Sequence, residues 1–248
     1  MGTTSGAAEL VAAAKAVDGE LRDAGQAAES DDSVGVSAVS SIYRTQPVGP
    51  ADGVAGLTFW NAAATVRATA APAALLALLH RVEERFGRDR SQLRWTARSL
   101  DLDLIAYRDS SGEFVASSAA ALRLPHPLAP FRRFVLDPLC ELAPNEPMFG
   151  MATPADSRSR LRRRPLRIDF GPLEVPRLAG QSGASFESVR DSHDSSADLC
   201  IGGDASSALP LETVPKLGNE TSAVLLAGLL DEPEVVVDAA AVEAALRS

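Results

Sequence analysis

Apolar residues recur at helical spacing in the opening segment. Between residues 7 and 21, Leu10, Val11, Val17 and Leu21 form one stripe while Lys15 and Glu20 lie off it, the pattern of an amphipathic helix. Residues 34–45 read as a strand entering a loop, and the prolines of Gln46-Pro47-Val48-Gly49-Pro50 keep that loop out of helix. From residue 59 to 69 the period becomes two, with Trp60, Ala62, Ala64, Val66 and Ala68 on one face and Phe59, Asn61, Ala63 and Thr65 on the other. Pro72 opens a second helix with a stripe of Leu75, Leu76, Leu79, Val82 and Phe86. Gly87 stops it, and His80 and Glu83 lie beside the stripe. Alternation returns over residues 99–107, where Leu100, Leu102 and Leu104 point inward and Asp101, Asp103 and Ile105 face the other way. A Ser/Ala-rich hairpin or loop, a short apolar piece over 122–126 and a short helix within 132–142 follow.

This order of helix, strand, strand, helix, strand predicts an α+β domain, a ferredoxin-like α/β sandwich with an antiparallel sheet that lacks only its opening strand. The predicted domain spans residues 1–153, and 154–248 form a C-terminal extension. Within the extension an Arg-rich run over 158–167 leads into the strand-like Leu166-Arg167-Ile168-Asp169-Phe170, and residues 180–196 are rich in Gly, Ser and Asp. Apolar runs at 199–201, 223–230 and 235–237 are expected to build a small α/β subdomain without chemistry.

Composition narrows the function. A chain of 248 residues fits one domain with an appendage, and 46% hydrophobic content supplies a core. The net charge of −9 argues against a general nucleic-acid or anionic-membrane binder, since both reward excess Lys and Arg. No run approaches the ~20 apolar residues that span a bilayer, and the Ala-rich opening carries Glu9, Lys15, Asp18 and Glu20 where a secretion signal would be apolar. A cytoplasmic monomer is expected. The two cysteines, Cys140 and Cys200, stand far apart with no metal-ligand spacing and read as inert thiols.

The densest chemistry lies in residues 87–103. Arg88, Arg90, Arg94 and Arg98 converge on a strand that carries Asp101 and Asp103 on one face. Paired carboxylates offer hard oxygen ligands to Mg²⁺, and guanidinium groups clamp phosphate oxygens. A solvated charged loop beside a strand is the plainer reading of the same residues. Against it, like charges side by side on a strand repel, and Asp suits strands poorly, so a compensating cation is expected nearby.

The run Arg94-Trp95-Thr96-Ala97-Arg98-Ser99-Leu100-Asp101-Leu102-Asp103 resembles the Arg-Trp-Gly-Pro-Arg-Thr-(Ile/Leu)-Asp-Leu-Asp signature of the 6-hydroxymethyl-7,8-dihydropterin pyrophosphokinase family. Ser41-Ile42-Tyr43-Arg44-Thr45-Gln46-Pro47-Val48-Gly49-Pro50 is similar to its pterin loop, and Phe59-Trp60-Asn61-Ala62-Ala63 to its Tyr/Phe-x-Asn-Ala strand. Leu124-Pro125-His126-Pro127, Arg132-Arg133-Phe134-Val135-Leu136 and Pro138-Leu139 follow in family order. The resemblance implies ATP-dependent pyrophosphoryl transfer to a hydroxymethyl pterin with release of AMP, in folate synthesis. It implies two Mg²⁺ ions, with Asp101 and Asp103 as ligands, and catalytic roles for these two with Arg88 and Arg98. ATP contacts fall to Glu83, Arg88, Arg90, Arg94, Trp95, Arg98, Leu104, His126 and Arg132. Pterin contacts fall to Thr45, Gln46, Val48, Phe59, Asn61 and Phe134, the two aromatic rings sandwiching the heterocycle. Without the other motifs, Phe59 and Phe134 read rather as ordinary core residues, and Asn61 tips the reading because an amide on a buried strand face needs partners.

Thr96-Ala97 departs from the family's Gly-Pro, and Gln46 from a frequent Pro or Glu, so loop closure and rate are open to change. Two alternatives remain at this point. One is a catalytically impaired binding or regulatory module with this fold. The other is an RNA-binding ferredoxin-like domain, opposed by the acidic balance. In the family an apolar strand precedes a Gly-Ser-Asn-x-Gly turn. Gly2-Thr3-Thr4-Ser5-Gly6 keeps both glycines but has only Met1 ahead of it. The expectation is a sequence that starts late by roughly five to ten residues, with an unpaired slot in the sheet.

Overall fold

The computed structural model describes residues 1–3, 5–25, 34–45, 57–88, 99–162, 166–169, 186–189, 199–200 and 233–248. The described elements, in chain order, are β1 (Gly2–Thr3), α1 (Ala7–Gly25), β2 (Gly35–Val39), β3 (Ile42–Thr45), β4 (Phe59–Asn61), β5 (Ala64–Arg67), α2 (Pro72–Arg85) and β6 (Leu100–Asp101). There follow β7 (Ser117–Ala119), β8 (Leu122–Leu124), α3 (Arg133–Leu142), α4 (Pro154–Leu161), β9 (Leu166–Asp169), β10 (Phe186–Val189), β11 (Leu199–Cys200), β12 (Glu234–Val237) and α5 (Ala239–Arg247). The chain is α+β. Its main sheet runs β12-β3-β4-β1-β6 with every neighbouring pair antiparallel. A separate small sheet, β10-β9-β11, is parallel.

The helical stripe of α1 packs as its spacing predicts: Leu10, Ala13, Val17 and Leu21 are all buried in the main core. Asp18, on the helix flank, accepts from Arg22 Nε at 2.9 Å and from the Val36 amide at 2.7 Å, which ties α1 to β2. Pro72 sits in the first turn of α2, and Gly87, at φ +81°, takes the left-handed conformation after its end. The stripe of α2 is Leu75, Leu78, Leu79 and Val82. Leu78 takes the buried place expected of Leu76, because the helix turns its stripe toward α1 rather than spreading it evenly over the sheet.

The first two predicted strands each break into two. Between β2 and β3, and opposite it between β4 and β5, the hairpin bends at Ser40 and Ala63. Fully buried Ser40 accepts the Ala63 amide on Oγ at 2.9 Å while its own amide bonds Ala63 O at 2.9 Å. The hydroxyl thus replaces a ladder acceptor lost at the bend. The alternation survives the break: Trp60, Ala62, Ala64, Val66 and Ala68 all meet the core. In the next segment only Leu100–Asp101 is a ladder-paired strand, yet Leu100 and Leu102 are buried as expected. The opening segment, read as lacking its strand, contributes the two residues of β1 between β4 and β6.

Two features beyond residue 153 were not anticipated. Pro154–Leu161 is a helix whose Thr153 and Asp156 form a reciprocal capping box. Strand β12 pairs with β3 of the main sheet, and α5 follows it onto α1 and β2, burying Val242 in the core. The Ala239 amide donates to Ser41 Oγ at 3.1 Å, and Glu234 pairs with Arg44 across the edge. Val242→Ala is expected to lower unfolding free energy by ~2 kcal/mol, while Val236→Ala, on the exposed part of β12, stays within about 0.5 kcal/mol. Urea unfolding of the two variants checks this.

Candidate active site

The face of the main sheet turned away from α1 and α2 is covered in part by α3. That helix is anchored through Glu141, which accepts the Ser41 amide at 2.8 Å and the Tyr43 hydroxyl. Beside it opens a cleft, part of a cavity of about 1860 Å³ that also reaches the core residues Val17, Leu75 and Leu79, and its lining includes Thr45, Phe59, Asn61, Asp101, Asp103, Leu104, His126, Arg132 and Phe134. The period-two pattern explains the grouping. Thr45, Phe59, Asn61, Asp101 and Asp103 are the residues whose strand neighbours, such as Ile42, Ala62, Leu100 and Leu102, fill the core on the opposite face.

At one end, Asn61 is 9% exposed and donates from Nδ2 to the buried Thr45 Oγ1 at 2.8 Å. A buried carboxamide has donor and acceptor capacity beyond one bond, and here it stands in the cleft wall. Phe59 and Phe134 line the same cleft, both half-buried rather than sealed in the core.

At the other end, Glu83 is fully buried. Its Oε1 accepts the Leu102 amide at 2.7 Å and pairs with Arg88, whose Nη1 also donates to Asp101 Oδ1 at 3.0 Å. Burial pushes the Glu83 carboxyl above its usual pKa, against the pull of the Leu102 amide and of Arg88. A helix residue therefore holds the backbone between the two aspartates and, through Arg88, the side chain of the first. Asp103 is exposed in the cleft.

His126 and Arg132 complete this end. The His126 amide bonds Ile105 O at 2.7 Å, which fastens the segment after β8 alongside the aspartate strand. Its Nδ1 accepts the Leu128 amide at 3.3 Å, which assigns the proton of a neutral ring to Nε2. Burial lowers its pKa, with Asp103 and Asp101 opposing. Burial also lowers the Arg132 pKa, and the same two aspartates oppose it. Asp103 is thus the strongest charged neighbour of both groups, and the Arg132 guanidinium helps to keep the His126 pKa low. Arg132 lies over the Phe134 ring, 5.5 Å from its centroid, within cation–π range. Arg133, next in sequence, is instead buried against Asp137 at 2.7 Å and serves the fold.

No group of three or more His, Cys, Asp or Glu side chains able to hold a metal occurs among the described residues. Mg²⁺ is ordinarily held by one or two carboxylates plus substrate phosphates, not by an all-protein cage. Asp101 and Asp103 fit that mode.

The structure therefore brings Thr45, Phe59, Asn61, Leu104, Asp101, Asp103, His126, Arg132 and Phe134 into one cleft, with Glu83 and Arg88 beneath its acidic end. Gln46, Val48, Arg90, Arg94, Trp95 and Arg98 lie outside the described residues. Gly2 was missed as a cleft residue; its sequence signal, the Gly-x-x-x-Gly spacing, pointed to a turn rather than to a wall.

Among described residues no helix is long and apolar enough to cross a membrane. Comparison with known proteins gives relatives called 2-amino-4-hydroxy-6-hydroxymethyldihydropteridine pyrophosphokinase. The one from Synechocystis sp. is 40% identical over 110 residues, 44% of this chain and 51% of the relative. The one from Bacillus subtilis is 38% identical over 109 residues, 44% of this chain and 60% of the relative. The bifunctional protein FolKE of Lactococcus lactis subsp. lactis is 36% identical over 107 residues, 43% of this chain and 28% of that protein. The matches thus span about half to three fifths of the length of the first two relatives. A family model described as 7,8-dihydro-6-hydroxymethylpterin-pyrophosphokinase (HPPK) matches residues 10–144, a stretch that takes in most of α1, the elements from β2 to α3 and the cleft residues above apart from Gly2. On that match, this chain belongs to the 7,8-dihydro-6-hydroxymethylpterin-pyrophosphokinase family.

Proposed function

We propose that this protein transfers the pyrophosphoryl group of ATP to the hydroxymethyl group of 6-hydroxymethyl-7,8-dihydropterin, releasing AMP, as a step of folate synthesis. The observation that carries the reading is the joining, in one cleft, of a buried carboxamide and two aromatic rings with a carboxylate pair and the guanidinium groups of Arg88 and Arg132. The first half suits a flat heterocycle with an amide edge, the second a metal–polyphosphate.

In this reading Asn61 pairs with the amide edge of the pterin, Phe59 and Phe134 stack on it, and Thr45, Gln46 and Val48 close over it. Asp101 and Asp103 hold Mg²⁺, two ions in the full complex, which supplies neutralisation of phosphate charge. The pterin hydroxyl oxygen bonds to the β-phosphorus, the bond from that phosphorus to the α–β bridging oxygen breaks, AMP leaves with the electron pair, and the hydroxyl proton passes to solvent. Arg88, Arg98 and Arg132 counter charge on the phosphates, His126 donates from Nε2, and Arg90, Arg94, Trp95 and Leu104 bind the nucleotide. Glu83 serves ATP through Arg88 and the aspartate strand, since its own carboxylate is enclosed. Catalysis is positioning and electrostatic stabilisation, with no covalent protein intermediate.

The order β3-β4-β1-β6, all antiparallel, with α1 and α2 packed on one core, supports a ferredoxin-like sandwich for the catalytic unit. We infer that residues 1–153 carry all the chemistry, in a cytoplasmic monomer, and that β12 and α5 brace the sheet without contributing to turnover. Incubation with ATP, Mg²⁺ and the hydroxymethyl dihydropterin should yield AMP and the pterin diphosphate in equal amounts. ADP as the nucleotide product, or no pterin-dependent AMP, would refute the reading.

A further inference from the structure

Strand β1 sits between the two halves of the cleft. Gly2 is registered opposite Asn61 on β4 and opposite Asp101 on β6. Residues paired across neighbouring strands present their side chains to the same face, so Asn61, Gly2 and Asp101 form one row on the cleft wall. Gly2 is the gap in that row. The backbone does not demand glycine there: its φ lies outside the left-handed region, unlike Gly6 at +117° and Gly87 at +81°. Glycine within a strand is also weakening relative to alanine.

What the position demands is space. A Cβ on Gly2 would stand 2.7 Å from Asn61 Oδ1, closer than side chains tolerate. The carboxamide has no simple retreat, because its Nδ2 is held by Thr45 Oγ1 at 2.8 Å and both residues are buried. Exchanging its oxygen and nitrogen would only bring the NH₂ group against the same methyl. Thr45 fixes the carboxamide by accepting a hydrogen bond, and Gly2 fixes it by leaving room.

We propose that Gly2 is a positioning residue that sets pterin affinity: its missing side chain permits the Asn61 carboxamide orientation that reads the amide edge of the heterocycle. This rests on the role given to Asn61 in the proposed function. The inference predicts a selective defect. A methyl at position 2 displaces a group that, of the two substrates, contacts the pterin alone, and leaves the Glu83, Arg88 and Asp101 cluster in place.

The test is a double-variant cycle on the full chain, with 6-hydroxymethylpterin and Mg²⁺ with a non-hydrolysable ATP analogue as calorimetric probes. Gly2→Ala should raise the pterin Kd by about tenfold or more while the nucleotide Kd stays within about twofold. In an Asn61→Ala background, which has room for the methyl, Gly2→Ala should change pterin binding by less than about twofold. A methyl that merely disturbed the sheet would weaken binding equally in both backgrounds, and that result overturns the proposal. Should Gly2→Ala alone fail to fold, the double variant should fold, and its failure also overturns the proposal. Wild-type protein that binds no pterin sinks the proposed function and this inference together. Wild-type protein that binds pterin, with Gly2→Ala binding equally well, sinks the inference alone.

Discussion

Alanine at Asp101 or Asp103 should leave a folded protein whose pyrophosphoryl transfer is lower by about a thousandfold or more, equivalent to ~4 kcal/mol of transition-state stabilisation. The fold should tolerate both changes. Asp103 is exposed, the Asp101 side chain is 37% exposed, and Arg88 keeps its partner Glu83 when Asp101 is shortened. The chemistry should not tolerate them, because two carboxylates are a minimal Mg²⁺ anchor and no third acidic or imidazole ligand stands by among the described residues. Far-ultraviolet dichroism and thermal melts establish folding, and single-turnover AMP formation reads the chemistry. Turnover within about tenfold of wild type in either variant at ordinary Mg²⁺ would remove these residues from the metal site.

The largest stability effect is expected at Glu83. Replacing it by alanine strips the Leu102 amide of its acceptor and leaves Arg88, whose side chain is 16% exposed, without its buried counter-charge. Breaking a buried pair from one side costs about 3–5 kcal/mol, which at this chain length lowers the melting temperature by roughly 10 °C. Glu83→Gln separates the two contributions. Its amide oxygen can still accept from Leu102, so it should recover about half of the loss while the Arg88–Asp101 geometry stays perturbed. The sign with pH follows from burial. A carboxyl whose folded pKa is raised favours the folded state most below its ordinary titration range, and that contribution is lost as pH rises through the folded pKa. Glu83→Gln should therefore flatten stability against pH just above the ordinary carboxylate range. Denaturant melts across that range decide it, and an unchanged profile would mean that Glu83 does not titrate there.

The parts legible in the sequence were those governed by local periodicity. The stripe of α1 and the alternation of residues 59–68 and 100–102 sorted core from cleft, because side-chain direction within an element is fixed by its own repeat. That rule put Asn61, Asp101 and Asp103 on the site face. Features set by distant partners were not legible. The bend at Ser40 depends on a hydroxyl meeting Ala63 on another strand, and the choice of Leu78 over Leu76 depends on where α1 lies. Gly2 became a wall residue only through its register with two strands about 60 and 100 positions away. Helix Pro154–Leu161 is different. Its Thr153, Pro154 and Asp156 form a local start signal that was present and unread.

The docking of β12 on β3 bears on the order in which the molecule is assembled. Arg44 and Glu234, paired across that edge, are separated by 190 positions. During synthesis β3, β4 and the cleft residues leave the ribosome long before their edge partner exists. At ~5–20 residues per second the gap lasts on the order of ten seconds or more. Over that interval the outer edge of β3 lacks its native cover and can pair with an edge of another nascent chain. The last step closes a long loop, and its entropic cost comes before any contact rewards it. Closure of this edge is therefore expected as a late, slow phase in refolding, visible as delayed protection of the β3 amides from hydrogen exchange.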